Sequence, residues 1–357
     1  MTVRFPAQRV GFGREDIEVI KTGIDDILSS GRLAMGEWVE EFERRWAGVC
    51  GTRHGVMTSG CTGALEIAVR ALRLRGLRVA CPINTYAATP MAILHAGANV
   101  AWVDCDPHDG MLDPAKLPKA EGAVDAVMVV HIGGNISPRL GEVIEYCRDR
   151  NLPLIEDAAH AHGVKSQWGE AGHIGRAGCF SFFATKLLTC AAESGILVTD
   201  DPEIAEFARL FRDQGRKHPP KGEDPQKLEH VLALAANYCP EEISAFIGCT
   251  QVDRLRDYLG ARRAAAAVYR EHYGLVESQE SNFYKVITHD PVGRHPEVVL
   301  PGKVYKRPLH HEPAYAMPGL SLPGAERFCA SHTALPIYGN MRPEEAEEVC
   351  RLLGSGA

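Results

Sequence analysis

Lys186 and Asp157 are the residues of this chain whose types and spacing could carry chemistry. Lys186 ends the string Ser181-Phe182-Phe183-Ala184-Thr185-Lys186. Asp157 closes the apolar run Leu152-Pro153-Leu154-Ile155-Glu156-Asp157 and leads into Ala158-Ala159-His160-Ala161-His162-Gly163. A carboxylate ending one apolar run, followed 29 positions later by a lysine after a second, suits a cofactor that needs both groups. An amine can form a Schiff base with an aldehyde. A carboxylate can keep a pyridine nitrogen protonated, so that the ring draws electrons from a neighbouring carbon. The pair predicts pyridoxal 5′-phosphate (PLP). Either residue alone says little, since a lone lysine is ordinarily a solvated charge and a lone aspartate ordinarily a helix cap.

A phosphate needs N–H groups and hydroxyls at a helix N-terminus. Thr58-Ser59-Gly60-Cys61-Thr62-Gly63-Ala64-Leu65 reads as a strand, a small hydroxylated turn and an amphipathic helix, which makes Thr62 and Gly63 candidates. A plain Ser/Thr-capped turn would look much the same. Ser181, five residues before Lys186, can reach the same phosphate. Tyr86, in Asn84-Thr85-Tyr86-Ala87-Ala88-Thr89, sits in a loop after a strand and could stack on a pyridine ring. Such loops hold the ligands of open α/β sheets.

These groups need a scaffold, and the apolar runs describe one. Strands are expected at 54–58, 78–81, 100–104, 126–131, 152–156, 178–182 and 195–199, with helical patterns such as Ala64 to Leu74, Pro90 to Ala96 and Leu140 to Arg150 between them. Continuous apolar strands alternating with helices predict an α/β fold with a mostly parallel sheet covered on both faces. Past residue 245 the texture changes. Glu242 to Tyr273 reads as one or two long helices, Asn282 to Ile287 as a strand, Pro301 to Pro318 as a Pro/His-rich segment and Pro343 to Leu353 as a final helix. This predicts a large cofactor-binding domain over 1–245 and a smaller α+β domain over 246–357. The Pro- and charge-rich stretch 217–227 reads as an exposed loop.

Composition narrows the remaining possibilities. The chain has 357 residues, 45% hydrophobic and 24% charged, with a net charge of −7. That balance disfavours nucleic acid and membrane surfaces as partners. No apolar stretch approaches the ~20 residues of a membrane span, and the start lacks the layout of a signal peptide, so a cytoplasmic location is expected. The eleven cysteines are scattered without a Cys-x-x-Cys pair and read as reduced core thiols. No metal site is expected, because the adjacent pair His310-His311 would point in different directions on regular structure.

These strings together resemble the DegT/DnrJ-type (StrS-like) sugar aminotransferases, fold-type-I PLP enzymes. Gly31-Arg32-Leu33-Ala34-Met35-Gly36 resembles the family's opening, and Val103-Asp104-Cys105-Asp106-Pro107 its V-D-x-D-P turn. Glu156 to Gly163 is similar to E-D-A-A-Q/H-A-H-G, Phe180 to Lys186 to F-S-F-x-P-T-K, and Pro308 to Tyr315 to P-L-H-x-Q-P-A-Y. The resemblance implies that Thr62, Gly63 and Ser181 hold the phosphate, that Tyr86 stacks on the ring and that Asp157 pairs with its nitrogen. His160 would stand near the phenolic oxygen, and Lys186 would carry the cofactor. Asn237, in Asn237-Tyr238, would reach the neighbouring subunit's phosphate, which implies a homodimer with shared sites.

The implied activity is amino transfer from glutamate or glutamine to a keto-sugar, most often nucleotide-linked. A keto-cyclitol acceptor, a PLP-dependent dehydratase or lyase, and a non-catalytic regulatory protein of the same fold are the rivals. Cys61 replaces a glycine of the family pattern, and Cys239 replaces an arginine commonly found after N-Y. The thiol cannot pair bidentately with an anion. An anionic substrate group is therefore expected at Lys303, Lys306 and Arg307, with His310 beside them.

Overall fold

The computed structural model describes residues 4–7, 9–217, 230–278, 281–293, 298–299 and 301–354. Seven strands form one sheet: β1 (His54–Thr58), β2 (Arg78–Pro82), β3 (Asn99–Val103), β4 (Ala126–Val130), β5 (Leu154–Asp157), β6 (Ala177–Ser181) and β7 (Gly195–Thr199). Their order is β1-β7-β6-β5-β4-β2-β3. β7 runs antiparallel to both neighbours, and the remaining pairs are parallel. Each expected strand is present, shifted by at most two residues. Every residue of β4, β6 and β7 is buried, as continuous apolar runs require when both faces are covered. The stretch read as a loop, 217–227, lies outside the described residues apart from Lys217.

Helices cover both faces. α1 (Arg14–Ser30) and α2 (Glu37–Cys50) precede the sheet; α3 (Cys61–Ala71), α4 (Ala88–His95) and α5 (Leu140–Asp149) connect its strands, and α6 (Pro202–Arg212) follows the last of them. On one face α2 buries Phe42 and Trp46 against Phe180 and Phe182. The Trp46 ring meets Phe182 edge-on at 4.8 Å and Phe180 at 5.1 Å, a geometry that aromatic quadrupoles favour. On the other face α3 buries Leu65, Ile67 and Val69 beneath Val56 and Leu197. Gly195 opens β7 where a Cβ would lie 2.3 Å from the Cys61 backbone nitrogen, so only glycine lets this strand abut the start of α3.

α7 (Glu242–His272) is one helix of 31 residues. Its first half packs Ala245, Cys249 and Leu255 into the core beneath the sheet. Its second half gives Ala265, Ala266 and Tyr269 to a separate core with Val286, Leu335 and Val349. α8 (Pro323–Ser331), α9 (Pro343–Leu353) and a three-stranded antiparallel sheet of Leu275–Val276, Val286–Thr288 and Thr333–Leu335 build that second layer. Phe5 joins the same core, its N–H donating to the Val298 carbonyl at 2.9 Å.

The strand expected at 282–287 begins only at Val286. Asn282 diverts the backbone before it. Its side-chain oxygen takes the Tyr284 N–H at 2.8 Å, and Phe283 adopts a φ of 50°. Such capture of backbone groups by an asparagine competes with sheet pairing.

Candidate active site

A cleft of about 480 Å³ opens at the carboxyl ends of β4, β5 and β6. Its walls include the first turn of α3, the Tyr86 loop and the irregular 284–285 and 303–305 segments. A volume of this order suits a small cofactor together with part of a reactant.

Asp157, at the end of β5, forms the floor. It is 5% exposed, and Oδ2 accepts from the Thr89 hydroxyl at 2.7 Å while Oδ1 accepts from the Ala159 N–H at 3.2 Å. Burial pushes its carboxyl above the usual range, opposed by those two donors and by the Lys186 charge. No ion pair reaches it among the described residues. Glu156, beside it, serves a different end. That carboxylate is fully buried and accepts from Gly172, Ile174 and Gly175 N–H groups at 2.7–2.8 Å, which anchors the loop before β6.

Lys186 follows β6 in a tight turn, its N–H donating to the Phe183 carbonyl at 2.9 Å. Its Nζ lies 5.3 Å from the centroid of the Tyr284 ring. The His160 ring stacks on Tyr284 at 4.3 Å. Its Nδ1 faces the Gly133 N–H at 3.4 Å, and burial with the nearby Lys186 and Lys285 charges holds its pKa well below the usual imidazole range. The ring is therefore neutral, with its proton assigned by this contact to Nε2. Asn282 locks this corner, donating to the carbonyls of His160 and His162 at 2.9 and 3.0 Å.

Cys61 and Thr62 line the cleft at the start of α3, whose N-cap Gly60 offers no side-chain cap. The first N–H groups of that helix are left for an anion. Ser181 lines the cleft as well. Gly63 lies behind: a Cβ there would meet the Tyr238 ring at 3.0 Å. Tyr238 in turn donates to Glu66 at 2.7 Å, so the Asn237-Tyr238 segment braces α3. Asn237 is exposed and does not line the cleft of its own chain. Cys239 donates to Asp213 at 3.3 Å, and burial pushes its thiol up to about 11.

The candidates for a substrate anion are not brought together. Lys303 lines the cleft, but its ammonium donates to the Cys329 and Ala330 carbonyls at 2.6 and 2.9 Å, closing the end of α8. Lys306 and Arg307 are exposed away from the cleft, and Arg307 pairs with Glu312 at 3.2 Å. His310 is buried outside it, 3.0 Å from Glu326. His310 and His311 do not diverge, because they lie on a 3₁₀ turn. Both Nε2 atoms approach the same Glu326 oxygen, at 3.0 and 3.9 Å. That oxygen also accepts the Leu322 N–H at 3.2 Å, which makes it part of the α8 cap.

Tyr284, Lys285 and Tyr305 were not singled out as site residues from the sequence, yet they line the cleft. The signal available was a lysine within an otherwise apolar, strand-like run.

The geometry fits PLP. A buried carboxylate with no ion pair among the described residues, an uncapped helix N-terminus and a lysine lining the same cleft are the three features that the cofactor's ring nitrogen, phosphate and aldehyde require. The model of the DegT/DnrJ/EryC1/StrS aminotransferase family matches residues 15–290. The chain belongs to that family. Its cofactor is PLP, and the protein is an aminotransferase. GDP-perosamine synthase of Caulobacter vibrioides is 31% identical over 73% of this chain and 68% of its own length. The dTDP-3-amino-3,4,6-trideoxy-alpha-D-glucose transaminase of Streptomyces venezuelae is also 31% identical, over 90% and 88%. The solved structure of S. venezuelae DesV in complex with a ketimine intermediate superposes with a TM-score of 0.87 at 28% identity, covering 98% of this chain and 97% of that one. No helix among the described residues is long and apolar enough to cross a membrane.

Proposed function

We propose that the protein transfers an amino group from glutamate or glutamine to a keto-sugar carried on a nucleoside diphosphate, as a homodimer with shared sites. The observation that carries this reading is the buried Asp157 carboxylate, unpaired among the described residues, on the floor of a cleft that Lys186 also lines. The relatives named as acting on GDP- and dTDP-linked sugars support the acceptor class.

Bound in the cleft, PLP supplies an aldehyde carbon that carries the amino group and a ring that withdraws electrons from the reacting carbon. Asp157 supplies the negative charge that holds a protonated ring nitrogen. Thr62 and Ser181, with the first N–H groups of α3 that include that of Gly63, would hold the phosphate, and Tyr86 would cover the ring. Neutral His160 donates through Nε2 to an oxygen in the cleft. Lys186 Nζ would take the proton from the donor's α-carbon and pass it to the cofactor's aldehyde-derived carbon within the first half-reaction, and would move a proton the opposite way, onto the acceptor carbon, in the second. Asn237, exposed on its own chain, completes the phosphate site of the partner.

The test is a split reaction on purified holoenzyme. Single amino donors are added first, and the visible spectrum is followed. Candidate nucleotide-linked keto-sugars are then added, and amino-sugar product is sought by mass spectrometry. Spectral change with glutamate or glutamine, reversed by a keto-sugar, is expected. Reversal by a free keto-cyclitol alone would replace the acceptor class.

A further inference from the structure

Among the described residues, three lysines line the cleft: Lys186, Lys285 and Lys303. Lys186 serves the cofactor, and Lys303 is committed to two carbonyls at the end of α8. Lys285 differs from both. Among the described residues its ammonium has no carboxylate and no hydrogen-bond acceptor, and Nζ lies 5.4 Å from the centroid of the Tyr284 ring. A desolvated ammonium without a partner costs free energy, and this one stands in further positive charge. Burial, then Arg262 and Lys186, press its pKa down to about 8. Arg262 is itself buried and donates to the Phe283 carbonyl at 2.7 Å, with no ion pair among the described residues.

The backbone at Lys285 is fixed. Its N–H donates to the Gly133 carbonyl at 3.0 Å, and the next residue begins the Val286–Thr288 strand. Lys285 therefore presents its amine from an anchored position. Lys186 Nζ and Lys285 Nζ both approach the Tyr284 ring, 5.3 and 5.4 Å from its centroid, and both lysines line the same cleft. A reactant held in that cleft can meet the first with its reacting carbon and the second with an oxyanion. A lysine kept for structure alone would find carbonyls, as Lys303 does.

We propose that Lys285 is the oxyanion-binding residue of this cleft, pairing with the carboxylate of the amino donor or the diphosphate of the acceptor while Lys186 moves the proton. This rests on the transaminase reading given above. The oxyanion has two possible sources, and two measurements separate them.

Holoenzyme is prepared as wild type, Lys285→Met and Lys285→Arg. L-Glutamate is titrated in the absence of acceptor, reading the visible spectrum. UDP, dTDP and GDP are titrated separately by calorimetry. A charge-assisted hydrogen bond contributes about 1.5–3 kcal/mol, so Lys285→Met should weaken one of the two by roughly 10- to 100-fold, with the limiting rate changed less. Lys285→Arg should recover most of the loss. The titration that moves names the source. A folded Lys285→Met enzyme that matches wild type in both overturns the assignment, as does one altered only in its affinity for PLP. If Lys285→Met does not fold, Lys285→Gln is compared with Lys285→Arg in the same way, and equal constants overturn it. A wild-type enzyme that responds to no amino donor refutes the transaminase reading instead, and the nucleotide titrations still test Lys285.

Discussion

The Thr89 hydroxyl donates to Asp157 Oδ2 at 2.7 Å and is itself 2.7 Å from the Thr85 hydroxyl. Because Thr89 spends its proton on the carboxylate, Thr85 must donate to Thr89. Two threonines, one on α4 and one in the loop before it, thus steer the charge of a strand-end aspartate, leaving the far side of the carboxylate to face the cleft. Asp157→Asn should keep the fold and lose at least ~10²-fold in turnover, as removal of a charge-stabilising group does. Thr89→Val should cost less, about tenfold in cofactor affinity, in line with one hydrogen bond to a charged group. Cofactor titration and turnover of both variants check the order. Near-wild-type turnover in Asp157→Asn would reduce that residue to a helix cap.

Lys186 is the cleft residue whose loss should change the spectrum itself. Lys186→Ala should bind PLP without the visible band that a lysine-linked cofactor gives, and without turnover. Thermal melts with and without PLP check that the cofactor still docks. A wild-type protein saturated with PLP but lacking that band would undo the assignment of Lys186.

The sheet was legible because its strands are apolar on both faces, so that each run declares itself without help from its neighbours. β1 and β7 were placed to the residue for this reason. α1 was not foreseen; it buries only Asp16, Gly23 and Ile27 along 17 residues. Asp157, His160, Ser181 and Lys186 could be read because local strings surround them. Lys285 and Tyr305 could not. They come from segments far along the chain, and long-range contacts put Lys285 in the cleft, among them Asn282 to the His160 carbonyl and the Lys285 N–H to the Gly133 carbonyl. The two carbonyls that occupy the Lys303 ammonium also come from the end of α8, which no local pattern ties to it.

Asn237 offers a test of the shared site. Mixing Lys186→Ala with Asn237→Ala subunits gives heterodimers in which one site has both residues intact and the other lacks both. Activity should rise in the mixture above either parent, toward a quarter of wild type for random pairing of equal amounts. PLP affinity is measured alongside, because the Asn237→Ala parent can keep part of its phosphate binding. No gain on mixing, with exchange of subunits verified by mass, would place Asn237 outside the partner's site.

Acid should loosen the cleft through His332. Its Nδ1 donates to the Phe328 carbonyl at 2.6 Å, and its Nε2 accepts the Val304 N–H at 2.9 Å. Both nitrogens are used, and only the neutral ring can serve them, since a proton on Nε2 would face the Val304 N–H. Burial, opposed by the Phe328 carbonyl, pushes the pKa down to about 4. The unfolded value is about 6.5. For a group depressed on folding, the unfolded chain binds the extra proton between these values. Its contribution to stability is therefore complete above about 6.5 and lost as the pH falls toward 4, at about 1.4 kcal/mol per unit. His162, pushed down to about 3 chiefly by burial, acts in the same direction. Asp109, pushed up to about 6 by burial, acts against them below that pH, because its folded form holds the proton that the unfolded chain releases. His160, held low chiefly by burial, acts with the two histidines, and the net expectation is a loss of stability from pH 7 to 5. His332→Gln keeps an acceptor for Val304 and removes the titration, so its denaturant midpoint should vary less with pH than that of wild type. Since Val304 lines the cleft, binding of a nucleoside diphosphate should weaken in parallel below pH 6 in wild type and less so in the variant. Parallel pH profiles for the two proteins would show that another group governs the acid response.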